Sequence, residues 1–306
     1  MSSADLTIVI VNWNARDLLA DCLHAIARTM QASGALTIEV LVVDNASTDG
    51  SVALVQSQFP WVRLIVNAKN IGFAAANNQA ICMASSRYIL LLNSDTVVHP
   101  GALATLVHFM EGAPHAGACG ARLLNGDGTL QPACHPMLTP GREFWRLIFL
   151  DQLWPRATYR IGRWDTVTPR RVEVIKGACL LLRRVALDRV GLLDGGYFMY
   201  TEEVDLCYRL AQAGWELWYV PAAVVTHYGE GSSKQAAESM YVQLYRSKVQ
   251  FYRKFGGVRR ARLAKALLAL AYVPRWLAAS LGSPFSTRLR RQARTFRRLL
   301  ADLPGM

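Results

Sequence analysis

Ile38-Glu39-Val40-Leu41-Val42-Val43-Asp44-Asn45-Ala46-Ser47 is the stretch that decides the fold. Residues 38–43 are almost all aliphatic and rich in valine, as expected of a short strand buried on both faces in a parallel sheet. The acid that follows heads a run of turn-forming residues. A second run of this kind, Tyr88-Ile89-Leu90-Leu91-Leu92, leads into Asn93-Ser94-Asp95. Open α/β sheets bind ligands in the crevice beyond the carboxyl ends of their strands. Asp44 and Asp95 are therefore predicted to reach one crevice.

The flanking sequence supplies the rest of such a sheet. Upstream, residues 7–11 read as a first strand, and Leu18, Leu19, Cys22, Leu23, Ile26 and Met30 recur at helical spacing through 15–32. Downstream come a helix opening at 47–51 and reaching about residue 58, a strand at 62–66 and a helix of small residues at 73–85. Pro100 opens a helix over 101–111. This alternation predicts a mostly parallel, Rossmann-like sheet flanked by helices. Asn125-Gly126-Asp127-Gly128 marks a hairpin tip. Residues 140–170, with three tryptophans and six arginines, read as a long loop or short helices close to an acceptor. Residues 172–183 form a buried strand interrupted by Gly177-Ala178; helices follow at 185–190 and 203–213. Strand material at 215–220 and 222–226 ends at His227.

Composition draws one boundary. The 306 residues carry a net charge of +12, yet 246–306 alone hold 15 Lys or Arg and one acid, Asp302. The whole positive surplus lies there, so 1–245 is predicted to be the catalytic domain and 246–306 a basic amphipathic helical tail. Lys265, Pro274 and Arg275 interrupt the apolar residues of the tail, so a spanning helix is a poor fit. Interfacial helices on an anionic membrane surface fit better. Nucleic acid is not the expected partner, since no recognition module accompanies the charge. The N-terminal apolar run is short and lacks a basic lead, so the expected location is cytoplasmic, peripheral on the inner face of the membrane. Six cysteines without CxxC pairing read as buried free thiols.

Several residues have types and places suited to chemistry. Asp44 can accept hydrogen bonds from a base imide or ribose hydroxyls; the competing role is to cap the following turn. Asp49 reads as a cap or turn residue. Asn70-Ile71-Gly72-Phe73, with Asn77, gives a glycine for close backbone approach and a helix start for a pyrophosphate. Asp95, with the amide oxygen of Asn93, suits a hard divalent ion, and His227 at a strand end suits a third ligand. Thr201-Glu202-Glu203-Val204-Asp205 concentrates acids where a general base is needed. No dinucleotide GxGxxG or P-loop occurs.

The order and wording of these motifs, over about residues 6–230, resemble the family 2 glycosyltransferases, inverting enzymes of the GT-A fold. Val11-Asn12-Trp13-Asn14, Gly72-Phe73 with Asn77-Asn78, and Met199-Tyr200-Thr201-Glu202-Glu203-Val204-Asp205 look most like its bacterial rhamnosyltransferase branch. The resemblance implies nucleotide contacts from Asn12, Asp44, Asn70, Gly72, Asn77 and Asn93, and a Mg²⁺ or Mn²⁺ ion at Asp95 and His227. It implies Glu203 as the base with Glu202 as runner-up, and a sugar or acceptor pocket at Gly177, Ala178, Tyr200 and Asp205. Asn93 departs from the family's D-x-D. The implied partners are a nucleotide-sugar donor, first dTDP-rhamnose, and a polyprenyl-linked or polysaccharide acceptor. A catalytically silent membrane-bound scaffold is the alternative.

Overall fold

The computed structural model describes residues 4–32, 36–229 and 237–306. The chain divides into two compact units. One comprises Met1–His135, Arg160–Phe198 and Glu202–Gln235; the other comprises Pro136–Tyr159, Met199–Thr201 and Ala236–Met306. Residues 136–159, which composition places with the first domain, thus group with the basic C-terminal segment.

The first unit is built on one mixed sheet. β1 (Leu6–Asn12), β2 (Ile38–Asp44), β3 (Arg63–Val66) and β4 (Tyr88–Leu92) are mutually parallel, in the order β3-β2-β1-β4. The central residues of β1, β2 and β4 are fully buried, as their aliphatic runs require, whereas edge strand β3 is only half-buried at its centre. α1 (Arg16–Ala32), α2 (Ser51–Gln58) and α3 (Phe73–Met83) make the crossovers. After β5 (Thr96–Val98) and α4 (Ala102–Gly112), β6 (Ala116–Leu124) and β7 (Leu130–Gln131) form the hairpin whose tip is the Asn125–Gly128 turn.

The second half of the sheet departs from simple alternation. β8 (Cys134–His135) pairs with β10 (Val174–Ile175) in a separate ribbon. Gly177-Ala178 then turn the chain into β11 (Cys179–Arg183), which lies antiparallel between β4 and β6. β12 (Glu216–His227) runs parallel to β6 and antiparallel to β5 and to β9 (Arg170–Arg171). Its ladder slips between Val220 and Val224, around Pro221, a residue that has no N–H to give a neighbour. α6 (Arg184–Val190) and α7 (Glu202–Gln212) complete the unit. Through these pairings β6 and β12 point the same way as β1, β2 and β4. The carboxyl ends of six strands, β3 included, and the start of β11 therefore share one sheet edge.

The second unit is helical. α5 (Pro140–Leu147) starts at Thr139, whose side chain accepts from the Arg142 amide, with proline next to the cap. α8 (Ala237–Gly282) is broken at Gly257, where φ 69° and ψ −176° suit glycine alone. α9 (Thr287–Asp302) is capped by Ser286. Leu147, Val242, Val249, Leu268, Tyr272 and Leu299 form its core. Inside it, the buried Glu143 carboxylate accepts from Lys248 Nζ at 2.8 Å and from Arg146 at 2.6 Å. Burial alone would raise that carboxyl; the two cations overcome it and hold it down at about 2.

Candidate active site

The shared edge of the first unit collects the side chains. Asn12 and Asp44 end neighbouring strands in register. Asn12 Nδ2 donates to Asp44 Oδ2 at 3.1 Å and to Ser47 Oγ at 3.2 Å, while the Ser47 amide donates to Asp44 Oδ1 at 2.8 Å. The carboxylate is thus fixed and buried, and keeps further lone pairs for a ligand. Asn12 Oδ1 is buried with no hydrogen-bond partner among the described residues. An orphan acceptor beside a held carboxylate suits a donor group such as a base imide N–H.

The loop after β3 is organised by Asn45, a residue the motif reading passed over. Its side chain donates to Asn70 Oδ1 at 2.9 Å and accepts from Asn67 and from the Ile71 amide. Asn70 in turn accepts from the Gly72 amide at 3.0 Å. Gly72 has φ +88°, and a Cβ there would lie 2.5 Å from the Phe198 carbonyl oxygen, so only glycine fits. Two expectations change here. The Phe73 amide already donates to Phe198 O at 2.7 Å, so the α3 start does not offer that N–H to a pyrophosphate. Asn77, expected at the nucleotide, is buried and turns its amide back onto Phe73 O at 2.9 Å. Asp49 is the turn residue expected, accepting from Ser51 and the Arg16 amide.

Antiparallel pairing of β5 with β12 sets His227 opposite Thr96, one residue from Asp95. His227 Nε2 lies 3.3 Å from Asp95 Oδ1 and 3.3 Å from Asn93 Nδ2. The other ring nitrogen, Nδ1, meets Gln131 Oε1 at 2.6 Å. The Gln131 amide nitrogen donates to Asn125 Oδ1 and to His227 O, so its oxygen is the atom turned to the ring. Nδ1 then carries the proton, and in the neutral imidazole Nε2 presents a lone pair toward the Asp95 carboxylate. Two acceptors facing each other at this distance suit a cation between them, so the residues fit a divalent ion. Among the described residues no cluster of three or more His, Cys, Asp or Glu could hold a metal. Asp95 and His227 would be its protein ligands, leaving room for diphosphate oxygens and water, whereas Asn93 turns its amide nitrogen, not the expected oxygen, to His227. Gln131 orients the histidine, as outer-shell partners do; it lies in a two-residue strand and carries no motif signal.

Gly177 and Ala178 reach this edge too. Ala178 O accepts from the Asn93 amide at 3.1 Å, and the space a Cβ on Gly177 would take lies 3.8 Å from Glu203 Cβ. The two first-turn glutamates of α7 sit in different surroundings. Glu202 is buried, with Oε2 unpartnered among the described residues. Burial, reinforced by the charge of Glu203, pushes its carboxyl well above the usual carboxylate range. Glu203 is half-buried, and its charge acts on Lys176, whose ammonium burial makes less basic. Neighbouring acids in unequal burial can take different roles.

Asp205, expected in the sugar pocket, is fully buried and serves as a support. Its carboxylate accepts from Arg209 Nε at 2.6 Å and Tyr197 Oη at 3.3 Å, and Arg209 also holds the carbonyls of residues 190–192. Tyr200 falls in the 199–201 segment of the second unit, at φ 67°.

With this geometry in place, the comparisons settle the class. Residues 7–190 match Glycosyl transferase family 2, more than half of the chain, and the chain belongs to that family. It is 34% identical over 206 residues to the N-acetylglucosaminyl-diphospho-decaprenol L-rhamnosyltransferase of Mycobacterium tuberculosis, covering 62% of this chain and 66% of that protein. The match thus spans just under two thirds of that relative. It is 29% identical over 170 residues to rhamnosyltransferase WbbL of Escherichia coli K12, covering 53% of this chain and 63% of that one. The mannosyltransferase PcManGT of Pyrobaculum calidifontis, solved with GDP-Man and Mn²⁺, has a similar fold. It superposes with a TM-score of 0.57 at 17% identity, over 98% of this chain and 86% of the other.

Proposed function

We propose that the chain transfers a sugar, first L-rhamnose from dTDP-rhamnose, to a hydroxyl of a lipid-linked or polysaccharide acceptor in cell-wall or surface glycan synthesis, with inversion. The observation that carries this is the gathering of Asn12, Asp44, Asn93, Asp95, Gly177 and His227 at one sheet edge. Support for rhamnose comes from the names of two relatives, and the first of these also carries the lipid-linked acceptor in its name.

In this reading Asn12 and Asp44 hold the nucleoside, and the orphan Asn12 oxygen takes a pyrimidine N–H. Asn70 and Gly72 shape the loop beneath the donor. Glu203, the less buried of the pair, takes the proton from the acceptor hydroxyl as that oxygen attacks the anomeric carbon. The bond to the diphosphate breaks on the opposite face, and the diphosphate departs with its electron pair. A Mg²⁺ or Mn²⁺ ion, when bound at Asp95 and His227, supplies charge that neutralises the leaving diphosphate. Residues 1–245 would form the catalytic domain and 246–306 a tail seated on the inner, anionic face of the membrane. No described helix is long and apolar enough to cross it.

The test is nucleoside diphosphate release from a set of nucleotide sugars, with Mn²⁺ and extracted lipid acceptor, for wild type, Glu203→Gln and Glu202→Gln. Glu203→Gln is expected to lose about 10²–10⁴-fold in rate while still binding nucleotide. Equal rates for wild type and Glu203→Gln would remove it as the base. Nucleotide binding without turnover of any donor would instead favour a silent scaffold.

A further inference from the structure

The second unit sorts the apolar residues of its long helix into two sets. Leu268 and Tyr272 enter its core. Leu263, Leu270, Leu277 and Leu281 remain outside, exposed by 51%, 62%, 50% and 80%, and Phe285 just beyond the helix is 90% exposed. At 3.6 residues per turn, the spacings of seven, seven and four bring these leucines within about 40° of one another around α8, along about 27 Å of its length. Scattered exposed leucines need no explanation, but a continuous row does.

The charge around the row identifies what covers it. Exposed arginines bracket it: Arg259, Arg260 and Arg262 before it, and Arg288, Arg290 and Arg291 after it. Arg291 meets Glu238 of α8 at 3.8 Å; the one acid from residue 246 onward, Asp302, is paired with Arg246, so no acid of that segment offsets Arg259, Arg260, Arg262, Arg288 or Arg290.

We infer that the second unit docks on an anionic lipid leaflet by inserting the row Leu263-Leu270-Leu277-Leu281, with Phe285, while the bracketing arginines meet lipid phosphates. The inference rests on the membrane seat proposed above and deepens it. Attachment is apolar insertion through one face of α8, and the more strongly basic α9 supplies charge to it. A row of leucines with cations at its ends matches a leaflet better than a nucleic acid, whose backbone offers nothing for leucine to bury against.

The experiment is flotation of the full chain with vesicles of phosphatidylcholine alone and of phosphatidylcholine with 30% phosphatidylglycerol, at two salt concentrations, with dTDP binding measured in parallel. The wild type is expected to float with the anionic vesicles, less so at high salt. Leu270→Asp with Leu277→Asp is expected to lower vesicle affinity on the order of 10²-fold, with dTDP binding unchanged because these side chains are already in solvent. Flotation of the double variant like wild type would overturn insertion and leave adhesion by arginine alone. A wild type that fails to float would overturn the membrane seat as well. Retention on duplex DNA in physiological salt, without flotation, would assign the basic surface to nucleic acid and refute the inference. None of these outcomes depends on whether sugar is transferred.

Discussion

Replacing Gln131 by leucine tests the metal half of the site through a residue that touches neither nucleotide nor ion. Gln131 Oε1 accepts from His227 Nδ1 at 2.6 Å, and its amide nitrogen is anchored on Asn125 Oδ1 at 2.8 Å and His227 O at 3.0 Å. Leucine of similar size removes all three bonds, so the ring can rotate or move its proton to Nε2, the atom that faces Asp95. Loss of such an outer-shell partner weakens metal binding about 10–100-fold, equivalent to about 1.4–2.7 kcal/mol. The assay is Mn²⁺ titration followed by the electron paramagnetic resonance of the free ion, with dTDP present, for wild type, Gln131→Leu, His227→Ala and the double variant. If Gln131 acts through the ring, it costs affinity in wild type and nothing further in His227→Ala. Wild-type affinity in Gln131→Leu, or an equal cost in both backgrounds, would refute the assignment of His227 as an oriented ligand.

Two other substitutions probe the scaffold. Glu143→Gln leaves Lys248 and Arg146 in the second unit without the buried carboxylate between them, and is expected to cost about 3–5 kcal/mol in urea unfolding at pH 7. Because the folded Glu143 titrates at about 2 against an ordinary 4.5, its contribution is present above pH 4.5 and is lost as pH falls from there toward 2. The gap between wild type and Glu143→Gln should narrow over that window. Gly72→Ala places a methyl 2.5 Å from a backbone carbonyl at φ +88°. It is expected to lower the melting temperature by the equivalent of about 1–3 kcal/mol and to weaken dTDP binding, as calorimetry would show.

Much of this was legible because burial leaves a mark in composition. The aliphatic runs before Asp44 and Asn93 are strands, and the acids after them do reach one edge. Strand direction leaves no such mark: the Cys179–Arg183 run reads the same whether parallel or antiparallel, and its insertion between β4 and β6 follows from pairing alone. Polar residues were harder still. Asn77 and Asp205 carry the right chemistry at the right spacing, yet both are spent on internal bonds. Gln131 has no motif and Asn45 reads only as a turn residue after Asp44, and their roles exist only where distant segments meet. The association of residues 136–159 with the C-terminal helices was hidden because the charge boundary records composition, while the core around Leu147 and Leu268 records packing.

The position of β11 has a consequence for synthesis of the chain. β4 bonds β1 on one side and β11 on the other, and β6 reaches the sheet's first half only through β11. Until residues 179–183 have left the ribosome, β1 to β4 can pair among themselves, but β4 keeps an open, wholly apolar edge. The nucleotide half can thus form first, while the Asp95–His227 pair must wait another 44 residues for β12. A chain stalled in that interval exposes an edge suited to pairing with its neighbours, which makes translation between Leu92 and Arg183 the stage most prone to aggregation.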